Sequence, residues 1–411
     1  MSGVLAQVTR VGASAWRRVP LRARRFAWRV AGLLPVTVIA RVQALASGRR
    51  YIAPARLGVP DAPVRLLVAP ANFAGQGHAW AHAAERSLPG VAARNLAFGT
   101  AFGFPSDVDV PPSVAWSRAW ARSARRDVYR YSHVLVEAER ALLPGVERDV
   151  SKAIADLRGR GVSVATVCHG SDIRSPSAHA DREPWSPFAL DTYKDAQVLQ
   201  AQAERNRALL EDLRAADVPA FVSTPDLLLD VPWGTWLPVV VDVDAWSADT
   251  VPLAGEVPVV VHAPSRSALK GTDVIDPVLR GLHRSGLIEY RSASGLDRDG
   301  MQKLYRGADV VVDQLRMGIY GVAACEALAA GRVVISQVSD QVRAAARDAS
   351  GQDLPVVQAT PDTLEETIRG VLDDVTGARN VASRGPGFVR QLHDGRASAR
   401  VLRPFVLGAA S

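Results

Sequence analysis

Residues 308–336 read "ADVVVDQLRMGIYGVAACEALAAGRVVIS", and the fold is decided by how this stretch is parsed. A valine run stops abruptly at Asp313 and Gln314, and a turn bounded by Gly318 and Gly321 follows. An alanine-rich run then leads through Gly331 into a second valine-isoleucine run. This order of short β-rich run, turn, helix-forming run and β-rich run is βαβ grammar. The helix is apolar on all sides apart from one acid, Glu326. Such a helix is buried, and a buried carboxylate needs specific partners. Helical side chains lean toward the N-terminus, so Glu326 reaches back toward the mouth of its own helix. A pair of sugar hydroxyls there suits a carboxylate acceptor, and the helix amides suit an anion such as phosphate. A glutamate on the one wet face of the helix is the other reading of this stretch alone.

The same grammar extends outward on both sides. From Asp61 the chain runs through "VRLLVAPANFAGQGHAWAHAAERS", "YSHVLVEAE" and "VSKAIADLRGRGVSVATVCHGSD". A second set runs from "VPVVVHAPS" to "PVVQATPDTLEETIRGVLDDV". Between them lies a Pro-rich and turn-rich segment, which puts a boundary near residue 245. A chain of 411 residues also exceeds what one hydrophobic core usually serves. The expected architecture is α/β: two doubly wound Rossmann-like domains, 61–244 and 245–385, facing across a cleft. A C-terminal helix, 386–411, packs back on the first, and a basic amphipathic helical arm, 1–60, precedes it. Open parallel sheets bind ligands at the carboxyl ends of their strands, so the site should draw on both halves.

Net charge is +7, but it is unevenly placed. The first 60 residues hold eleven arginines and no acid, which leaves the remainder at −4. The folded body thus lacks the basic surface and interleaved aromatics of a nucleic-acid reader, and nucleic acid is not an expected partner. On a helical wheel over residues 16–34, Trp16, Val19, Ala23, Phe26, Val30 and Leu33 fall opposite Arg17, Arg18, Arg22, Arg24, Arg25 and Arg29. That is the pattern of a helix lying on an anionic membrane surface; a solvated arm packed on the body is the alternative. The following apolar run is too short to span a bilayer, and Pro35 and Arg41 count against a secretory signal. Two distant cysteines in apolar contexts build neither a disulfide framework nor a CxxC metal site, and a reducing, cytoplasmic setting fits, peripheral on the inner membrane face. No metal-ligand spacing is evident, and no cofactor is expected.

Three further strand-to-helix corners carry polar residues. "PANFAGQGH" (70–78) offers glycines, Gly75 and Gly77, for close backbone approach and Asn72 and Gln76 as uncharged hydrogen-bonding groups on the acceptor side. It is not a GxGxxG fingerprint. "VSVATVCHGSDIR" (162–174) ends an apolar run at His169, with Gly170 and Asp172 behind it, and the polar segment 175–190 reads as a mobile flap over that edge. "HAPSRSALKGTDVI" (262–275) sets Arg266 and Lys270 before a helix start, a cradle for a diphosphate: a guanidinium forks two oxygens and an ammonium supplies a point charge. No Walker A pattern is present, so ATP hydrolysis is not implied.

With these corners in place, residues 62–400 resemble the GT-B-fold glycosyltransferases of family 4, also called glycosyl transferases group 1. That family carries two glutamates eight positions apart around a Gly-aromatic-Gly-like turn. Here Ile319, Tyr320 and Gly321 form the turn, Glu326 stands at the second glutamate, and Gly318 stands at the first. The resemblance implies that Glu326 holds the ribose of a nucleotide sugar, that Arg266 and Lys270 hold its diphosphate, and that His169 lies near the transferred sugar. It also implies retention of anomeric configuration and no metal. The family's first glutamate contacts the transferred sugar, and Asp313, five residues before Gly318, is the expected substitute. The implied donor is a nucleotide-diphosphate sugar, the acceptor a saccharide or lipid-linked cell-envelope molecule. A non-catalytic nucleotide-sugar-binding scaffold and a sugar-nucleotide epimerase of the same fold remain as alternatives.

Overall fold

The computed structural model describes residues 56–99 and 103–408, together with Val38 and Arg41. The basic arm expected over residues 1–60 therefore lies almost wholly outside the described residues. In chain order the elements of the first unit begin with β1 (Val64–Ala69), α1 (Gln76–Ser87), β2 (Val91–Ala97), β3 (Val108–Asp109), α2 (Arg118–Val128) and β4 (His133–Glu137). They continue with α3 (Val150–Arg158), β5 (Ser163–Cys168), α4 (Pro176–Arg182), α5 (Ala196–Ala215), β6 (Ala220–Val222) and β7 (Thr235–Trp236). All seven strands are parallel, in the order β3-β2-β1-β4-β5-β6-β7. The second unit comprises β8 (Val259–His262), α6 (Thr272–Arg284), β9 (Glu289–Ser292), α7 (Arg298–Arg306), β10 (Val310–Val312) and α8 (Val322–Ala329), followed by β11 (Val333–Ser336), α9 (Asp340–Ser350), β12 (Val357–Gln358) and α10 (Leu364–Asp373). Its sheet is also all parallel, β12-β11-β10-β8-β9.

The α/β class with two parallel sheets is thus what the sequence grammar led one to expect. Strands such as Val310–Val312 are buried along their whole length, because helices cover both faces of a parallel sheet. The opening stretch folds as parsed: β10, a loop, α8 and β11, with Gly331 in the left-handed region (φ +65) just past the helix end. In each sheet the strand order reverses beside the first strand, between β1 and β4 and between β8 and β10. At such switch points the loops leave in opposite directions and open a crevice. The corners singled out in the sequence lie at the carboxyl ends of these strands.

Two chain crossings join the units. The first is the segment 238–241, the second the segment 393–398, and they hydrogen-bond to each other: Val241 N donates to His393 O at 2.7 Å and Ser398 Oγ to Pro238 O at 2.8 Å. The helix α11 (Val375–Leu392) runs straight through residue 386 and packs on α8 of the second unit. The helix that returns to the first unit is α12 (Arg396–Leu407), whose Leu402 and Val406 join Trp80 and Leu88 in one core. The break between them therefore falls at residues 393–395, where Gly395 takes φ +101, rather than at 386.

Close packing of α11 on α8 depends on Gly385, where a Cβ atom would lie 2.6 Å from the Leu328 carbonyl oxygen. Two residues on, Gly387 is exposed and a Cβ there would meet nothing within 4 Å. Gly385→Ala should destabilise the protein by about 1–3 kcal/mol through overpacking, whereas Gly387→Ala should be neutral or stabilising by up to about 1 kcal/mol. Urea denaturation of the two variants checks the opposite signs.

Candidate functional site

The first-unit side of the cleft is organised by a residue the sequence reading passed over. Glu137, the last residue of β4, is fully buried, and its carboxylate accepts hydrogen bonds from Ala71 N (2.9 Å), Asn72 N (3.0 Å) and His169 Nε2 (3.1 Å). The 70–78 corner is thereby wrapped around an acid, and the His169 imidazole, its side chain 7% exposed, is fixed with Nε2 as donor. The signal was present in the abrupt end of "HVLVE", a valine-rich strand closing on a glutamate.

Three residues expected to face an acceptor are used within the protein instead. Asn72 donates from its amide nitrogen to Pro105 O and accepts from His78 N on its oxygen. Gln76 closes a two-way clamp on the crossing segment, accepting from Val240 N at 2.7 Å and donating to Val240 O at 3.1 Å. Asp172 accepts from the backbone amides of His169 and Gly170, and so shapes the loop that carries His169. Of that group Gly75 and Gln76 line the cleft cavity, Gly75 in the left-handed region (φ +73) and against Phe104.

On the second-unit side, Lys270 Nζ donates to Asp313 Oδ1, joining the loop after β8 to the end of β10. Asp313 is 5% exposed. Arg266 is exposed and reaches across to Ser171 Oγ at 3.5 Å, beside the His169 corner. His262, buried at the end of β8, ties Val312 O and the Thr272 hydroxyl at the start of α6. Tyr320 stands apart from the site: it is 2% exposed, packs on Phe388, and pairs its hydroxyl with His393 Nε2 at 3.2 Å. Gly321 caps α8 and opens onto free space.

Gly318 carries an unforeseen neighbour. Its φ is +66, and a Cβ there would lie 2.6 Å from Oε1 of Glu183, which comes from the other unit. Glu183 follows α4 directly and also accepts from Gln337 Nε2 at 3.2 Å. The segment 175–190, expected as a mobile flap, is a folded strap: Ser175 caps α4, and buried His179 bonds Ser186 Oγ (2.7 Å) and Met317 O (3.3 Å). An acid thus stands beside Gly318 by coming from the facing unit, while Asp313 is engaged by Lys270.

A cavity of about 530 Å³ opens between the units, lined by Gly75, His78 and Phe104 from one side and Arg298, Val322 and Glu326 from the other. The Glu326 carboxyl makes no hydrogen bond or ion pair among the described residues. Burial pushes its carboxyl up to about 8 despite the opposing pull of Arg298 and Lys270, with Asp313 pushing the same way as burial. Arg298, at the start of α7, is a further residue that no sequence motif marked.

Solved structures that share this fold include a glycosyltransferase and a sucrose-phosphate synthase. HepE from Anabaena, in complex with UDP and glucose, matches with a TM-score of 0.55 at 12% identity over 82% of this chain and 98% of that one. A glycosyltransferase from Rickettsia africae matches at 0.53, 10% identity, 85% and 100% coverage. Sucrose-phosphate synthase from Thermosynechococcus elongatus matches at 0.51, 13% identity, 82% and 96% coverage. At these identities the likeness is one of fold. No family model and no curated protein matches the chain in sequence.

The raised carboxyl of Glu326 has a consequence for stability. A folded-state value near 8 against an unfolded value of 4.5 means that the folded state holds the extra proton, so stability falls as pH rises between those values. Glu326→Gln removes this loss. The variant should melt several degrees above the wild type at about pH 9, with a much smaller gap at about pH 5, in thermal scans of the ligand-free protein.

Proposed function

We propose that this protein is a glycosyltransferase that moves a sugar from a nucleoside-diphosphate sugar to a saccharide or lipid-linked cell-envelope acceptor, with retention of configuration. The observation that carries this reading is Glu326: an acid on a cavity between two α/β units, its carboxyl without a partner of its own, one turn into the helix α8. A ribose diol supplies the two hydroxyl donors such an acid lacks. Arg266 and Lys270 flank and end the short helical turn Ser267–Lys270 after β8 and take the diphosphate, Arg298 adds a third positive charge near Glu326, and Val322 at the start of α8 lines the same cavity. A match in fold to solved glycosyltransferases supports the reaction class.

In the proposed reaction the bond from the anomeric carbon to the diphosphate breaks, and its electron pair leaves on the diphosphate oxygen. Lys270 and Arg266 offset the charge that develops there, and they do so most strongly in the transition state, which is the condition for catalysis. An acceptor hydroxyl closes the new bond on the same face, and its proton passes to the departing diphosphate oxygen. His169, oriented by Glu137, sits at the edge of the transferred sugar. Asp313 holds Lys270 in the cleft rather than touching the sugar, and Glu183 beside Gly318 is the acid positioned for sugar hydroxyls. The arginine arm lays the enzyme on an anionic membrane surface near its acceptor. No helix among the described residues is long and apolar enough to cross a membrane.

Isotope-labelled UDP- and GDP-sugars, incubated with the full chain with and without membrane extract, test this. Label should pass to extractable lipid or glycan only when extract is present, and Lys270→Ala should weaken donor use by about 10- to 100-fold, the worth of a charge-assisted contact. The chain should co-sediment with anionic but not neutral vesicles. Donor binding without turnover in any extract would favour a non-catalytic scaffold, and conversion without acceptor would favour an epimerase.

A further inference from the structure

We propose that His78, His82 and Asp107 form a binding site for a divalent transition-metal ion on the wall of the cleft cavity. None of these side chains is needed for nucleotide recognition as argued above, and the proposal stands independently of that reading. His78 and His82 lie four residues apart on α1, so their rings share one face of the helix, with centroids 4.3 Å apart and planes tilted by 50°. Asp107 approaches that face from the turn before β3. Its Oδ1 lies 3.0 Å from His82 Nε2 and 3.8 Å from His78 Nε2. One ligand atom from each of the three can be taken so that all lie within 4.8 Å of one another. In a tetrahedral zinc site with bonds near 2.0–2.1 Å, ligand atoms sit about 3.3 Å apart, so the observed spacings bracket the required one.

The supporting groups are arranged as a metal site needs them. The other ring nitrogen of His82, Nδ1, bonds the Glu85 carboxylate at 2.8 Å, which turns Nε2 toward Asp107 as the ligating atom. The second oxygen of Asp107 is held by Asn95 N at 2.7 Å, which fixes the carboxylate with Oδ1 toward the histidines. All three side chains are part-exposed, at 25%, 25% and 15%, so an ion can enter and keep a water or substrate oxygen. Both histidines line the cavity, which directs the remaining coordination positions into it. Two imidazoles and one carboxylate favour zinc-like ions over magnesium or calcium, which prefer oxygen ligands. Bound there, the ion ties α1 to the segment 103–109, whose Phe104 and Pro105 wall the same cavity. The cluster is not contiguous in the sequence: Asp107 lies 25 residues from His82 and only the fold brings them together.

The test is a titration of the chelator-treated full chain with Zn²⁺ by calorimetry and with Co²⁺ by visible absorption. A single equivalent should bind, with proton release and the absorption bands of a nitrogen- and oxygen-ligated cobalt ion. His78→Ala and His82→Ala should each abolish that equivalent while far-UV circular dichroism stays unchanged. Glu85→Gln should keep the stoichiometry and lose about 10- to 100-fold in affinity, as expected for a group that orients a ligand rather than binding the metal. Failure of both ions to bind the intact chain would overturn the proposal. So would undiminished binding in the His78→Ala/His82→Ala double variant, and the cluster would then be an internal ion-pair network only.

Discussion

The cleft depends on how one buried carboxylate is satisfied. Glu137 sits at the switch point of the first sheet with no exposure to solvent, where an unpaired charge is expensive. Its partners are two successive backbone amides of the 71–72 corner and the His169 imidazole. Amides can converge on it only if the corner turns sharply, and Asn72, Ala74 and Gly75 all adopt positive φ there. The carboxylate must also approach the helix that follows. A Cβ at Gly77 would lie 2.7 Å from Glu137 Oε1, so only glycine admits the contact. Corner geometry, helix start and histidine orientation are thus consequences of one interaction.

The second unit is coupled to this corner by contacts that cross the cleft at three levels. Gln76 clamps the crossing segment at Val240, Arg266 reaches Ser171, and the strap 175–190 lays His179 on Met317 O and Glu183 beside Gly318. Inter-unit contacts of this small polar kind fit two bodies that can open and close around a ligand. Between them Glu326 stands on the cavity wall with its carboxyl unpartnered among the described residues, while Asp313 is paired with Lys270. That wall is where a ligand with hydroxyls and phosphates gains most.

Much of this was legible in the sequence where a local pattern had a local cause. The valine runs, glycine turns and alanine helix gave the two parallel sheets, and the lone acid of α8 led directly to Glu326 on the cavity. What the sequence did not disclose depends on contacts between distant segments. Asn72, Gln76 and Asp172 look like exposed polar loop residues, yet backbone groups at Pro105, Val240 and Gly170 consume them. Tyr320 sits in a glycine-flanked turn but is drawn into the core by Phe388 and His393. Glu183 and Asp107 belong to segments with no motif of their own and acquire neighbours only through the fold.

The central claim, that Glu326 reads the ribose of a nucleoside diphosphate, is tested most directly by calorimetric titration of the full chain with free UDP and GDP. One of them should bind at sub-millimolar concentration. Because burial pushes the free carboxyl up to about 8, binding should release a proton and tighten by up to about tenfold as pH rises from about 7 to about 8. Glu326→Gln should lose that pH dependence together with most of the affinity. Binding of neither nucleotide, or binding by Glu326→Gln with the affinity and pH profile of the wild type, would contradict the account.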